Sequence, residues 1–392
     1  MVWLENIEFV KSDVFYKLSD LLSVAGDILR QGGVVKSIGV DDALRVVEGH
    51  EVFHALKLLG VRRVPISRGR SKEVYVPLET LGFYDDVACP GLRVFDNTVE
   101  LLYKNWPTPL FKLRSLSRRG LTVWAKWEAY NPFSWSIKDR VGWYMFTKAL
   151  EEGRVSQLLY EATSTNTGMT LAAMAAIHGV RARLYLPSTA QKSSDVWLKT
   201  LGAEVVRVSK PLTVDFVGDV EREAARDGAI HLNQFENDRN FEVHLKYTAK
   251  ELDLQLRHTG VFPRAIIGGL GTSGHMSALS FYFKNRYRGS VKIYGVQPAV
   301  GHVIPGIRRI ETGMKWVHLV ELDGVVDITR EDAVNAAIEV ARKDGILIGL
   351  SSGAVASAFL KIADRLEEGH YILIFPDNGL KYAEIYSTYV KD

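Results

Sequence analysis

Residues 158–187 read LLYEATSTNTGMTLAAMAAIHGVRARLYLP, and the order of textures within them decides the fold. A short apolar run ends in Thr163-Ser164-Thr165-Asn166-Thr167-Gly168, an alanine-rich stretch follows, and a second apolar run, ARLYLP, closes the unit. That order describes a strand, a polar turn, a helix and another strand. The texture recurs outward in both directions: LTVWAKWE, SQLLYEAT, AEVVRVS, RAIIGGLG, VKIYGVQ, GILIGLSS and YILIFPDNG each read as a buried strand ending in a polar or Gly-rich turn. Regular strand–helix alternation predicts an α/β fold whose parallel sheets carry helices on both faces. In such sheets ligands sit at the carboxyl ends of the strands, where these turns fall.

The first hundred residues differ. Val14–Leu29 places apolar residues at helical spacing, the charged stretch RGRSKE follows, and short segments end in ACPG, so this part reads as a separate amino-terminal unit. With 392 residues, 47% of them apolar and 24% charged, the chain has material for two or three folding units. The formal net charge of +3 is too small for a nucleic-acid footprint. Any anion site must be local. The single cysteine, Cys89, excludes an internal disulfide framework and a zinc site built on several thiolates, and suits a reducing, cytoplasmic setting. The amino terminus carries acids from Glu5 onward and lacks the pattern of a signal peptide. The two longest stretches free of Lys, Arg, Asp and Glu, Ala162 to Val180 and Ala265 to Phe283, are interrupted by TSTNTG and GGLGTSGH and do not read as membrane spans.

Four turns carry chemistry. In KWEAYNPFSWSIKDR, Lys138 stands beyond a strand at the mouth of a helix starting near Asp139, from where it can point into a cleft. Taken alone it reads as a surface lysine paired with Asp139 or Glu128. The TSTNTG turn gathers hydroxyls and backbone N–H groups at a helix start, which favours a carboxylate. One of those residues would serve as an ordinary N-cap. Gly271-Thr272-Ser273-Gly274-His275 supplies amides and hydroxyls for a phosphate. It is neither a Walker loop nor a good dinucleotide fingerprint. Finally, GILIGLSSGA ends a strand at Gly349 and starts a helix after Ser351-Ser352-Gly353, offering a serine hydroxyl to a ring nitrogen.

In this order, from about Pro107 to Asn378, these turns resemble the fold-type II pyridoxal-phosphate enzymes, specifically the cysteine synthase and cystathionine β-synthase branch. The resemblance implies two parallel-sheet subdomains flanked by helices over residues 101–392, the substrate-side one spanning roughly 137–245, plus an amino-terminal extension over residues 1–100. It makes pyridoxal 5′-phosphate the cofactor and Lys138 the Schiff-base lysine and catalytic base. Asn166 would meet the cofactor's 3′-oxygen, while Gly271, Thr272, Ser273, Gly274 and His275 would hold its phosphate. Ser351, or its neighbour Ser352, would face the pyridine nitrogen; a neutral group there favours elimination and replacement over transamination. Thr163, Ser164, Thr165, Thr167 and Gln234, the last in NQFEND, would bind the substrate carboxylate. No metal is implied.

Ser273 and His275 stand where the family usually has Gly and Thr, and Thr165 where it has Gly. With the extension and GHVIPGIRRIETGMKW, these departures are most similar to the archaeal O-phosphoserine sulfhydrylases. The expected reaction is therefore O-phosphoserine plus sulfide to cysteine plus phosphate, with Arg308 reading the phosphate through its two-pronged donor set. Alternatively, both Arg308 and Arg309 are loop charges pairing with Glu311. An acetylserine-preferring enzyme, cystathionine or threonine synthesis, serine dehydration and a non-catalytic metabolite sensor are the competing functions. The family also implies a homodimer, for which 8 Trp offer surface to hide; neither nucleic acid nor membrane is an expected partner. Val46 to Ile66 distantly resembles ParB-like domains, some of which bind nucleotides. His50, Glu51 and His54 could be imagined as ligands, but a packing or dimer-supporting role without a second active site is expected.

Overall fold

Leu18, Leu21, Leu22, Ala25, Ile28 and Leu29 recur at 3.6-residue spacing, and all six are buried on one face of the helix Leu18–Gln31. Gly32, at φ 73°, ends it in the left-handed conformation that favours glycine. The computed structural model describes residues 1–86, 93–118 and 120–390; Cys89 and the rest of ACPG lie outside them. Around this helix and a second, His50–Leu59, the amino-terminal unit folds six short strands: β1 (Trp3–Asn6), β2 (Gly33–Lys36), β3 (Ile38–Val40), β4 (Val46–Glu48), β5 (Arg63–Arg68) and β6 (Glu73–Pro77). They form a four-stranded sheet of order β1-β5-β3-β4 and a β2-β6 pair. Within it, the Ser12 hydroxyl bridges His50 Nδ1 and His54 Nε2, each at 3.0 Å.

Ten further strands build the region that follows: β7 (Leu110–Lys112), β8 (Leu121–Trp127), β9 (Leu158–Ala162), β10 (Arg181–Pro187), β11 (Glu204–Val208), β12 (Ile230–His231), β13 (Pro263–Gly269), β14 (Lys292–Pro298), β15 (Gly324–Ile328) and β16 (Gly369–Phe375). One sheet is parallel throughout, in the order β11-β10-β9-β12. The other has the order β15-β14-β13-β16-β8-β7 and is parallel except for β7. The expected strands match β8 to β11, β13, β14 and β16, and fold-type II architecture is the result. GILIGLSS is a correction: Ile348 makes a single bridge to Asn378 and the segment is no strand. Among the described residues no helix is long and apolar enough to cross a membrane.

The amino-terminal unit does not close a core of its own. Leu29, Leu56 and Phe83 belong to one buried apolar cluster with Leu252, Leu256, Tyr282 and Ile266 from the region beyond. Polar ties cross the same boundary. Lys250 is buried and donates to the carbonyls of Gly60 (3.2 Å) and Phe83 (3.0 Å). Buried Asp253 accepts from the hydroxyls of Tyr84 and Tyr282, both at 2.7 Å, and from Tyr287.

Candidate active site

Between β8 and the helix Lys138–Glu151 the chain makes the turn NPFSWS, and Asp139 holds that turn in place. Its carboxylate accepts from the backbone N–H of Phe133 (2.7 Å) and Ser134 (2.9 Å), from the Ser134 hydroxyl and from Thr170 Oγ1 (2.6 Å). On the other side of Lys138, fully buried Arg140 donates through Nε to Glu128 (2.7 Å) and through Nη1 to Glu251 (3.2 Å). Lys126 also pairs with Glu251, at 2.6 Å. Both carboxylates that could have neutralised Lys138 at a surface, Asp139 and Glu128, are thus committed elsewhere. Lys138 instead lines a cleft of about 150 Å³. Burial first, and the nearby Arg308 charge second, push its ammonium down to about 8 against the opposing pull of Asp377.

Ser164 is the N-cap of the helix Thr165–Ile177, so the TSTNTG turn faces the cleft at the carboxyl end of β9. Ser164, Thr165, Asn166 and Gln234 line it with Lys138. Thr163 and Thr167 are buried beneath: Thr163 Oγ1 donates to the Ser164 carbonyl (2.7 Å), and Thr167 Oγ1 donates to Gln234 Oε1 (2.7 Å), fixing the Gln234 amide. Neither of these two lines the cleft.

The glycine turn after β13 contributes Gly271, Thr272 and His275 to the wall, with Ser273 and Gly274 behind it. A side chain would not fit at two of its glycines. A Cβ on Gly271 would stand 2.6 Å from the Gly306 carbonyl, and one on Gly274 would stand 2.3 Å from Asn240 Oδ1. Ser273 adopts φ 75°, a left-handed conformation that disfavours a side chain. Around the start of the helix Gly274–Arg286, Ser273 Oγ, Ser277 Oγ, both ring nitrogens of His275 and His244 Nε2 are buried and have no partner among the described residues. Unpartnered hydroxyls and an imidazole N–H at a helix amino terminus are the equipment of an anion site. Burial and the Lys138 charge push His275 down to about 3, so its imidazole is neutral.

On the far wall, Ser351 lines the cleft and donates weakly to Asp377 Oδ1 (3.4 Å), whereas Ser352 turns to the Asp377 carbonyl. Arg309 pairs with Glu311 (2.9 Å) and Asp327 (3.0 Å), as a loop charge would. Arg308 does not. It lines the cleft, donates through Nε to the Gly271 carbonyl (2.8 Å) and through Nη1 to Thr312 O (3.1 Å) and Oγ1 (2.8 Å), and lies over the Phe235 ring at 5.2 Å.

Three residues without a sequence signature of their own complete the site. Asp377 accepts from Asn166 Nδ2 (2.9 Å) and from the Tyr382 hydroxyl (2.5 Å). Buried Lys381 donates to the Ser134 carbonyl (2.6 Å) and to Asn166 Oδ1, so both ends of the Asn166 amide are fixed. Burial lowers the Lys381 ammonium below the usual lysine range. The available signal was PDNG after β16, another strand ending in a polar turn.

Comparison with known proteins sharpens the chemistry. The model of a family described as pyridoxal-phosphate dependent enzyme matches residues 101–377. Cysteine synthase B of Escherichia coli (strain K12) is 34% identical over 283 residues, 70% of this chain and 91% of that protein. Cysteine synthase of Aquifex aeolicus is 32% identical over 293 residues, covering 70% and 88%. Among solved structures, cysteine synthase of Entamoeba histolytica superposes with a TM-score of 0.66 at 28% identity, over 78% of this chain and 94% of that one. The residues present fit the cofactor these matches imply: the half-buried amine of Lys138, of lowered basicity, would suit its aldehyde, and the unpartnered groups around Ser273 and His275 its phosphate.

Proposed function

Because the chain belongs to the family of pyridoxal-phosphate dependent enzymes, we propose that it is a cysteine synthase that exchanges the phosphate of O-phospho-L-serine for sulfide. The Cα–H and Cβ–O bonds break, a Cβ–S bond forms, and L-cysteine and phosphate leave. When bound, pyridoxal phosphate delocalises the electron pair left at Cα. Lys138, with its ammonium held down to about 8, is the base that takes the Cα proton. Ser164, Thr165 and Gln234 would receive the substrate carboxylate, Asn166 would orient the cofactor ring, Ser351 would serve its nitrogen, and the glycine turn with Ser273 and His275 would receive its phosphate.

The observation that carries the substrate choice is Arg308. A guanidinium has five N–H donors, and three are used on Gly271 and Thr312. The two on Nη2 meet no protein acceptor among the described residues, and burial pushes the group down to about 10. A phosphate monoester carries nearly two charges and would give both donors charged acceptors, whereas an acetyl ester offers only a neutral carbonyl. Removing one partner of such a pair is worth roughly 2–4 kcal/mol, or about 30- to 1,000-fold in kcat/KM. The test compares phosphoserine with acetylserine in wild type and Arg308→Ala. Phosphoserine turnover should fall by that factor and acetylserine turnover far less. A parallel fall, or a wild-type preference for acetylserine, overturns the assignment.

The same reading makes the protein a cytoplasmic homodimer. The tryptophans give little support, because only Trp135 of the eight is exposed. Light scattering should nevertheless find a dimer at micromolar concentration, and a monomer would end that part of the proposal.

A further inference from the structure

A second cavity, about 900 Å³ and remote from Arg308 and Lys138 in its lining, opens where the amino-terminal unit meets the region beyond. Its walls come from the chain entering the helix Leu18–Gln31, the helix His50–Leu59, the last turns of Lys138–Glu151, and the segment from Arg239 into the π-helical turn His244–Ala249. The volume is that of a small-molecule site. Six cations line it against four carboxylates. The carboxylates are all taken: Glu151 by Lys148 (2.5 Å), Glu152 and Glu242 by Arg239 (3.0 and 2.8 Å), and Asp238 by Lys315 (3.0 Å). Lys17, Lys57 and Lys246 have no carboxylate within 4 Å among the described residues.

The geometry makes this excess expensive to leave alone. Lys246 Nζ donates to the Tyr144 hydroxyl at 2.8 Å and lies 5.4 Å from the ring centroid, and Lys148 lies 5.6 Å from the same ring. Burial is the first cause that lowers both Lys57 and Lys246 below the usual lysine range. The charges of Lys246, Lys148 and Arg239 lower Lys57 further and that of Arg239 lowers Lys246, while Glu242 opposes the shift at both and Asp86 and Glu151 oppose it at Lys246. Partly desolvated ammoniums that repel one another are relieved by an anion placed between them. His54, on the same wall, is also lowered, first by burial, and adds no fixed charge at neutral pH.

We propose that this groove binds a small, multiply charged anion of the phosphate class, held by Lys57 and Lys246 and independent of the active-site cleft. The inference does not rest on the reading of Arg308.

Inorganic pyrophosphate is the probe, titrated calorimetrically into holoenzyme at low ionic strength. Three proteins separate the two cationic sites: wild type, Arg308→Ala, and Lys57→Gln with Lys246→Gln. Arg308→Ala should still bind one equivalent per chain, more weakly as salt is raised. The double variant should lose about ten- to a hundredfold in affinity at that site, as expected for charged hydrogen bonds, with kcat/KM intact as evidence of folding. Lys57→Gln alone, an exposed change on a helix surface, should lose about tenfold and serves if the double variant does not fold. Undiminished binding after the lysine changes, or no binding by Arg308→Ala, overturns the proposal.

Discussion

Replacing Lys250 by Met should change how stability depends on pH, and the size of the change follows from the lysine's surroundings. Burial is the largest influence on its ammonium, with Asp86 opposing and Lys246 and Arg62 adding, and the balance pushes it down to about 7. An unfolded lysine titrates near ~10.4. Between those values the unfolded chain holds one more proton than the folded one, so stability rises with pH by about 1.4 kcal/mol per unit. Across the window the deficit at pH 7 reaches roughly 4–5 kcal/mol. It is absent above the unfolded pKa and levels off below the folded one. Met removes the titration but leaves the Gly60 and Phe83 carbonyls without their donor, which costs ~1–3 kcal/mol each. The absolute effect at pH 7 is therefore small, and the slope is the diagnostic. Urea unfolding of both proteins at intervals from pH 7 to 9 should show wild type gaining on the variant by about 1.4 kcal/mol per unit. Parallel behaviour over that range would refute the claim that Lys250 is held uncharged beneath the amino-terminal unit.

Two further outcomes can be checked at the candidate site. Ser273→Gly relieves a side chain at φ 75° and removes a buried orphaned hydroxyl, so the apoprotein should gain ~1 kcal/mol while holding the cofactor less tightly. Thermal unfolding with and without pyridoxal phosphate reads both effects, and tighter retention would contradict a phosphate role for Ser273. Lys138→Ala should abolish the visible absorbance of the lysine-bound cofactor together with cysteine formation; turnover above a trace, in buffers free of amines, would show that the base lies elsewhere.

Much of this arrangement was legible because parallel strands buried on both faces read as apolar runs, and ligands collect at their carboxyl ends. Lys138, the TSTNTG turn and the glycine turn were each visible as an interruption of such a run. Ile346–Ile348 misled by the same logic. Ile348 is fully buried, but it makes one bridge and leads into the helix Leu350–Ile362, and an apolar run alone does not separate a strand from other buried chain. The edge strand β15 was missed for the opposite reason, its residues being mostly half-exposed. Lys381 and Tyr382 carry no local pattern. They matter only because the chain after β16 folds back on Asn166, a contact across 215 positions for Lys381.

Least legible was the bond between the amino-terminal unit and the site, and it runs along one element. From Arg239 through the π-helical turn His244–Ala249 to His258 the chain is continuously helical. His244 packs its ring against His275 at 5.8 Å, Lys246 faces the groove, and Lys250 reaches the carbonyls of Gly60 and Phe83. Lys246 and Lys250 both reach Gly60 of the amino-terminal unit, while His244 looks toward the phosphate turn. A π-helical turn widens the helix at the place where those two directions meet. The first eighty-six residues therefore rest on the same helix whose His244 meets His275.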